Sequence, residues 1–233
     1  EKVLADNNFR ETLLNEIEND AQVRLFNGDW GKIIVREVNN KKYENLEGRS
    51  INEIALDANV NPLDWLLDHS LSVNGMDTLF IAMLLNSDEK AVGKLLKHPR
   101  SSITLSDAGA HLTFFNDAGY GLYMLQRWVR ENKLMSIEEA IYNLTGKQAD
   151  IYRIDQRGRL VPGQYADMML FDPEEVAVSQ SYRVSDLPGG GSRLNIDGKG
   201  IKGVWINGKR VLEDGDIINK NNLPGKVIRG FHA

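Results

Sequence analysis

Eight residues, Thr78-Leu79-Phe80-Ile81-Ala82-Met83-Leu84-Leu85, hold a single polar side chain and stand between Asp77 and Asn86. A run this short is brief for a helix, and one this continuously apolar leaves no wet face, so it predicts a strand covered on both sides. Residues from Asp88 to Leu96 then place Ala91, Val92, Leu95 and Leu96 at helical spacing before His98-Pro99-Arg100 ends the pattern. Ser102-Ile103-Thr104-Leu105 predicts a second strand. Strand, helix and strand in that order predict a right-handed crossover of a parallel sheet. Such sheets carry their chemistry at the carboxyl ends of their strands, and Ser106-Asp107-Ala108-Gly109-Ala110-His111 lies at such an end.

The remaining patterns place scaffold around this unit. Val3, Leu4, Phe9, Leu13, Leu14 and Ile17 recur at helical spacing over residues 3–17, and Lys32 to Val38 predicts a strand through Ile33, Ile34 and Val35. Ser50-Ile51-Asn52-Glu53 is a capping box opening one helix, and Asn61-Pro62 opens the next as N-cap and first helical residue. Gly121 to Arg130 predicts a helix, and Ser136-Ile137-Glu138-Glu139 starts another with Ile137, Ala140, Ile141 and Leu144 on one face. After Arg159 the texture turns to β: Met168 to Phe171, Gly203 to Ile206 and Arg210 to Leu212 are short apolar runs, and Asn207-Gly208 is a hairpin signal. Asp186 to Ser192, with Pro188 and three consecutive glycines, reads as a surface loop and not a phosphate cradle.

Composition excludes several function classes. Of 233 residues, 28 are Lys or Arg and 33 are Asp or Glu, a net charge of -5 that offers no basic footprint for nucleic acid. No apolar run approaches the ~20 residues of a membrane span. The absence of cysteine excludes disulfides and thiolate ligands and fits a reducing, cytoplasmic compartment. Glu1-Lys2-Val3-Leu4 carries no methionine and no leader pattern, and is expected to be an internal start.

Ser106-Asp107-Ala108-Gly109-Ala110-His111, Asn116-Asp117-Ala118-Gly119-Tyr120, Trp128-Val129-Arg130, Ser136-Ile137-Glu138-Glu139-Ala140, Gly163-Gln164-Tyr165-Ala166-Asp167 and Phe171-Asp172-Pro173 occur in that order. Together with Leu46-Glu47-Gly48-Arg49-Ser50 and His98-Pro99-Arg100 they resemble the carboxyl-terminal portion of metal-dependent amidohydrolases, in the branch of the N-acyl-D-amino-acid deacylases, or D-aminoacylases. The resemblance implies an α/β fold: the carboxyl-terminal part of a TIM (β/α)8 barrel over residues 1–158, with a small insert at about 28–74, followed by a β-sandwich subdomain over 159–233. The barrel would be incomplete in this chain, since a whole one takes ~250 residues.

The activity implied is zinc-dependent hydrolysis of the amide bond of N-acyl-D-amino acids, with a small-molecule substrate and one or two zinc ions. Asp107 matches the family's carboxylate beside the metal-bound water, so it is expected as general base and acid and as a metal ligand, at the rim of a concave mouth. Ser-Asp-Ala-Gly is also good turn chemistry, the structural alternative for Asp107. His111, four residues on, is expected to touch substrate, with a loop histidine bonded to backbone as the alternative. His69, His98 and His232 form no pair at ligand spacing. The family's histidine ligands lie on strands preceding this region, so the chain by itself is expected to be inactive, and its unpaired strand edges invite self-association. A dihydropyrimidinase-like cyclic-amide hydrolase and a noncatalytic interaction module are the competing expectations.

Overall fold

A computed structural model describes residues 2–19, 25–72, 74–110, 112–113, 115–218 and 220–229. The chain divides into two compact units, Glu1–Val92 and Gly93–Ala233. The division expected between residues 158 and 159 follows the change in residue texture; the compact units part at 92 and 93.

In the first unit, Asp6 caps α1 (Asn7–Glu18) by accepting from the Phe9 backbone N–H at 2.8 Å. Strand β1 (Ile33–Glu37) buries Val35 completely. Both halves of the expected capping box form at α2 (Ile51–Ala58): Glu53 N–H donates to Ser50 Oγ at 3.2 Å, and Ser50 N–H donates to Glu53 Oε2 at 2.8 Å. Helix α3 (Pro62–Leu71) begins with proline behind the Asn61 cap, where a missing N–H costs nothing. Ile51, Ile54, Ala55, Leu63 and Leu67 bury their side chains as the core between α2 and α3.

Strand β2 (Leu79–Ala82) departs from expectation in direction and in cover. It pairs antiparallel with β1, Ile34 opposite Ile81 and Val35 opposite Phe80, and Ile81 remains 42 % exposed. Residues 102–105, expected as the next parallel strand, form no strand at all. An apolar run states that it must be covered; it does not state by what. Among the described residues β1 is the one strand that pairs with β2, so no parallel crossover arises, and three of the four residues of β2 stay exposed.

His69 closes the first unit from within. Its Nε2 lies 2.8 Å from Thr78 Oγ1, joining the end of α3 to the start of β2, and burial holds its imidazole below the ordinary pKa. The sign of the consequence is fixed. The unfolded chain takes a proton on this ring near pH ~6.5, while the folded chain resists until lower pH, so stability falls as pH drops through that window and levels off below it. Urea midpoints should therefore decline from pH 8 to pH 5, and the decline should shrink in His69→Gln. An unchanged slope in the variant assigns the pH dependence to other groups.

Helix α4 (Glu89–Leu96) forms as expected. In the second unit, α5 (Tyr120–Tyr123) runs directly into a π-helical stretch, Met124–Glu131, that buries Met124, Leu125 and Trp128. Helix α6 (Ile137–Leu144) starts at the Ser136 cap, and α7 (Gly146–Tyr152) follows it with no signal in the periodicity. Strands β3 (Met168–Phe171), β4 (Ala177–Val178), β5 (Tyr182–Val184), β6 (Arg193–Asn195), β7 (Gly198–Lys199), β8 (Ile201–Ile206), β9 (Lys209–Glu213) and β10 (Asp216–Ile217) complete the tail. Four of them make one antiparallel sheet in the order β10-β9-β8-β3, and β4-β7 and β5-β6 are two-stranded ladders. Every pairing between these strands is antiparallel, so the β tail is present, while no second sheet of comparable size forms among the described residues to make a sandwich. Asn207 and Gly208 both take positive φ, 49° and 77°, in the two-residue turn that joins β8 to β9. Residues 185–192 form the loop joining β5 to β6, closed by the Arg193–Asp186 ion pair at 2.7 Å. No helix among the described residues is long and apolar enough to cross a membrane.

Candidate active site

The segment leading to Asp107 is held by side chains rather than by a ladder. Lys147 Nζ donates to the Ser101 carbonyl at 2.5 Å, and Gln148 Nε2 donates to the Ile103 carbonyl at 3.1 Å. Ser102 Oγ donates to Gln148 Oε1 at 3.0 Å. Helix α7 thus fixes a stretch of backbone that pairs with no strand among the described residues. Nothing in the sequence pattern marks Lys147 and Gln148 for this work, since polar residues on a helix ordinarily face solvent.

Beyond this stretch the chain turns sharply. Ser106 Oγ accepts from the Ala108 N–H at 3.1 Å, and the Ala110 N–H donates to the Asp107 carbonyl at 3.2 Å. Asp107 itself has φ 56°, in the left-handed region that Asp enters more readily than most residues, though still uncommonly. The side chain that caps the turn is therefore Ser106. The Asp107 carboxylate has no hydrogen-bond or ionic partner among the described residues, and the residue is exposed. The strand expected to end at Asp107 does not form: residues 101–107 have no strand pairing.

His111 lies outside the described residues, as does His232. His98 is a turn residue, its Nδ1 accepting from the Arg100 N–H at 3.2 Å, and His69 is the buried partner of Thr78. Desolvation raises the Asp117 carboxyl above the ordinary 3.8 even though part of the residue stays open to solvent. Among the described residues no three His, Asp or Glu side chains come together as a set that could hold a metal ion. The zinc site implied for Asp107 thus finds no companion ligands there, and the described residues do not fit a complete metal centre.

The chain is similar to several known proteins. An uncharacterized protein of Mycobacterium tuberculosis is 29 % identical over 177 residues, covering 74 % of this chain and 28 % of its own length. An N-acyl-D-aspartate deacylase of Alcaligenes xylosoxydans xylosoxydans is 30 % identical over 143 residues, 60 % of this chain and 26 % of that protein. A D-aminoacylase crystal structure aligns at 23 % identity and a TM-score of 0.45, covering 82 % of this chain and 36 % of that one. The chain spans little more than a quarter of the length of the curated relatives it matches. The model of the amidohydrolase family matches residues 6–212, all but the two ends of the sequence, and on that match the chain belongs to the amidohydrolase family.

Proposed function

We propose that the protein carrying this chain hydrolyses the amide bond of N-acyl-D-amino acids, with Asp107 as its proton-transferring and metal-facing carboxylate and His111 against the substrate. One observation carries the reading: the family match over residues 6–212, beside which an N-acyl-D-aspartate deacylase is 30 % identical over 143 aligned residues. The solvent-facing position of Asp107 lends the reading no support of its own. One or two zinc ions are the cofactor that family membership implies. Since Asp107 has no companion ligands among the described residues, the chemistry assigned to this chain's own groups is proton transfer.

That chemistry is specific. Water forms a bond from oxygen to the carbonyl carbon and gives up a proton, and the C–N bond breaks only when the nitrogen gains one. A carboxylate that accepts the first proton and returns it to the nitrogen serves both halves, an effect worth typically ~10²–10⁴-fold. Asp107 suits this role in one respect: its oxygens are not engaged by the turn that Ser106 caps.

The test is a substrate panel on the protein as encoded, supplied with zinc and read by release of free amine. N-acetyl-D-aspartate and N-acetyl-D-leucine should be cleaved, with the L-enantiomers far slower. Ring opening of dihydrouracil without amine release from either acyl amino acid would move the assignment to a cyclic-amide hydrolase. Silence toward all of them would favour a noncatalytic module.

A further inference from the structure

The first unit holds a cleft of about 460 Å³, a volume within the ~300–1,000 Å³ of small-molecule sites. Tyr43 and Leu46, from the 3-10 turn Lys41–Leu46, line one side; Val60, just past α2, and Trp65 of α3 line others. The rings are set in place before any ligand arrives. His69 stacks on Trp65 with centroids 4.9 Å apart and planes at 9°, and Tyr43 meets the same imidazole edge-on at 4.8 Å. With His69 itself held by Thr78, neither wall can fold inward without breaking a buried contact.

The charges at the cleft are unequal in availability. Asp68 is held by Arg10 at 2.6 Å, and the same guanidinium reaches Asp64 at 3.3 Å. Lys42, also lining the cleft, has no carboxylate partner among the described residues; its ammonium lies 5.3 Å from the Tyr43 ring centroid. The Asn45 amide, which lines the same cleft, likewise has no partner among the described residues. An aromatic and aliphatic wall with an uncommitted cation and an uncommitted amide donor is complementary to a molecule that is apolar along its body and anionic at one end.

We propose that this cleft binds a small carboxylate with an apolar or aromatic body, the body against Tyr43, Leu46, Val60 and Trp65 and the carboxylate on Lys42 Nζ and the Asn45 amide. The site stands on these contacts alone and does not depend on the deacylase reading. A simple acid and an N-acyl amino acid share the chemistry, and the ligands of the test separate them. Titration calorimetry on the protein would compare phenylacetate, N-acetyl-D-phenylalanine, phenylacetamide and phenethylamine. At least one of the acids should bind saturably, the tighter one naming the source, with the neutral amide and the amine roughly tenfold weaker or worse. Lys42→Met should weaken the acids roughly tenfold, the loss expected from removing one charged hydrogen bond. Asn45→Ala should act in the same direction to a smaller extent. Both positions are exposed, so circular dichroism should be unchanged in either variant. Saturable binding of the amine as tight as that of the acids, acid binding indifferent to Lys42→Met, or no saturable heat from either acid would overturn the proposal.

Discussion

Asp107→Asn is expected to lower kcat toward N-acyl-D-amino acids by roughly 10²-fold or more, because an amide can neither accept the proton of attacking water nor return it to the departing nitrogen. At ~1.36 kcal/mol per decade this is a barrier increase of about 2.7 kcal/mol. Folding should be untouched. Asp107 is exposed, its side chain bonds to nothing among the described residues, and Asn tolerates the left-handed backbone at φ 56°. The pairing of a large kinetic loss with an unchanged melting temperature distinguishes a catalytic carboxylate from a turn residue. Substituting Ser106 by Ala gives the complementary result: it removes the acceptor of the Ala108 N–H and should loosen the turn, with a smaller loss of rate. If Asp107→Asn retained full turnover in the protein as encoded, the role would pass to another group and Asp107 would be an exposed loop residue.

What the sequence makes legible here is short-range chemistry. Ser50 and Glu53 satisfy each other's backbone donors three residues apart, Pro62 follows its Asn61 cap, and Asn207-Gly208 supplies the two positive φ angles of its turn. Each of these is settled by neighbours in the chain. Strand direction is not: β2 needs a hydrogen-bonding neighbour, and whether that neighbour is a parallel strand or the antiparallel β1 depends on distant segments that no local pattern names. The Asp107 approach fails to declare itself for a related reason. Residues 102–105 look like a strand, yet the carbonyls of Ser101, just before it, and of Ile103 are taken by Lys147 and Gln148, more than forty positions later. Asp167, within one of the motifs that carries the family resemblance, shows the same limit from the other side. It pairs with Arg157 and accepts from the Asn207 N–H at 2.7 Å, so that motif anchors the β8–β9 turn. Family membership could be read from the order of such motifs, whereas the surroundings of Asp107 could not, because one carboxylate in a glycine-containing turn does not fix what lies around it.

Gly200→Ala is expected to be the most destabilising small substitution in the β tail, by roughly 3 kcal/mol or more. Gly200 has φ 71°, and a Cβ built there would stand 2.5 Å from the Val176 nitrogen and 2.6 Å from the Glu175 carbonyl carbon. These are backbone atoms and cannot swing aside as the tip of a side chain would. The Gly200 carbonyl accepts from the Asp172 N–H at 2.8 Å, so pushing the two segments apart strains that bond as well. Val176, 1 % exposed, would be lifted from its buried position, and its carbonyl is one of two that Arg130 Nη1 grips, at 2.7 Å, to join the π-helical stretch to the tail. Gly215→Ala is the control. Its φ of 94° is equally positive, but nothing lies within 4 Å of the added methyl, so it should cost only the backbone preference, about 1–2 kcal/mol. Urea unfolding of both variants separates the two contributions. A midpoint loss at position 200 no larger than at 215 would mean that the 172–176 turn yields freely, and that its contact with the start of β8 does not hold the tail to the helices before it.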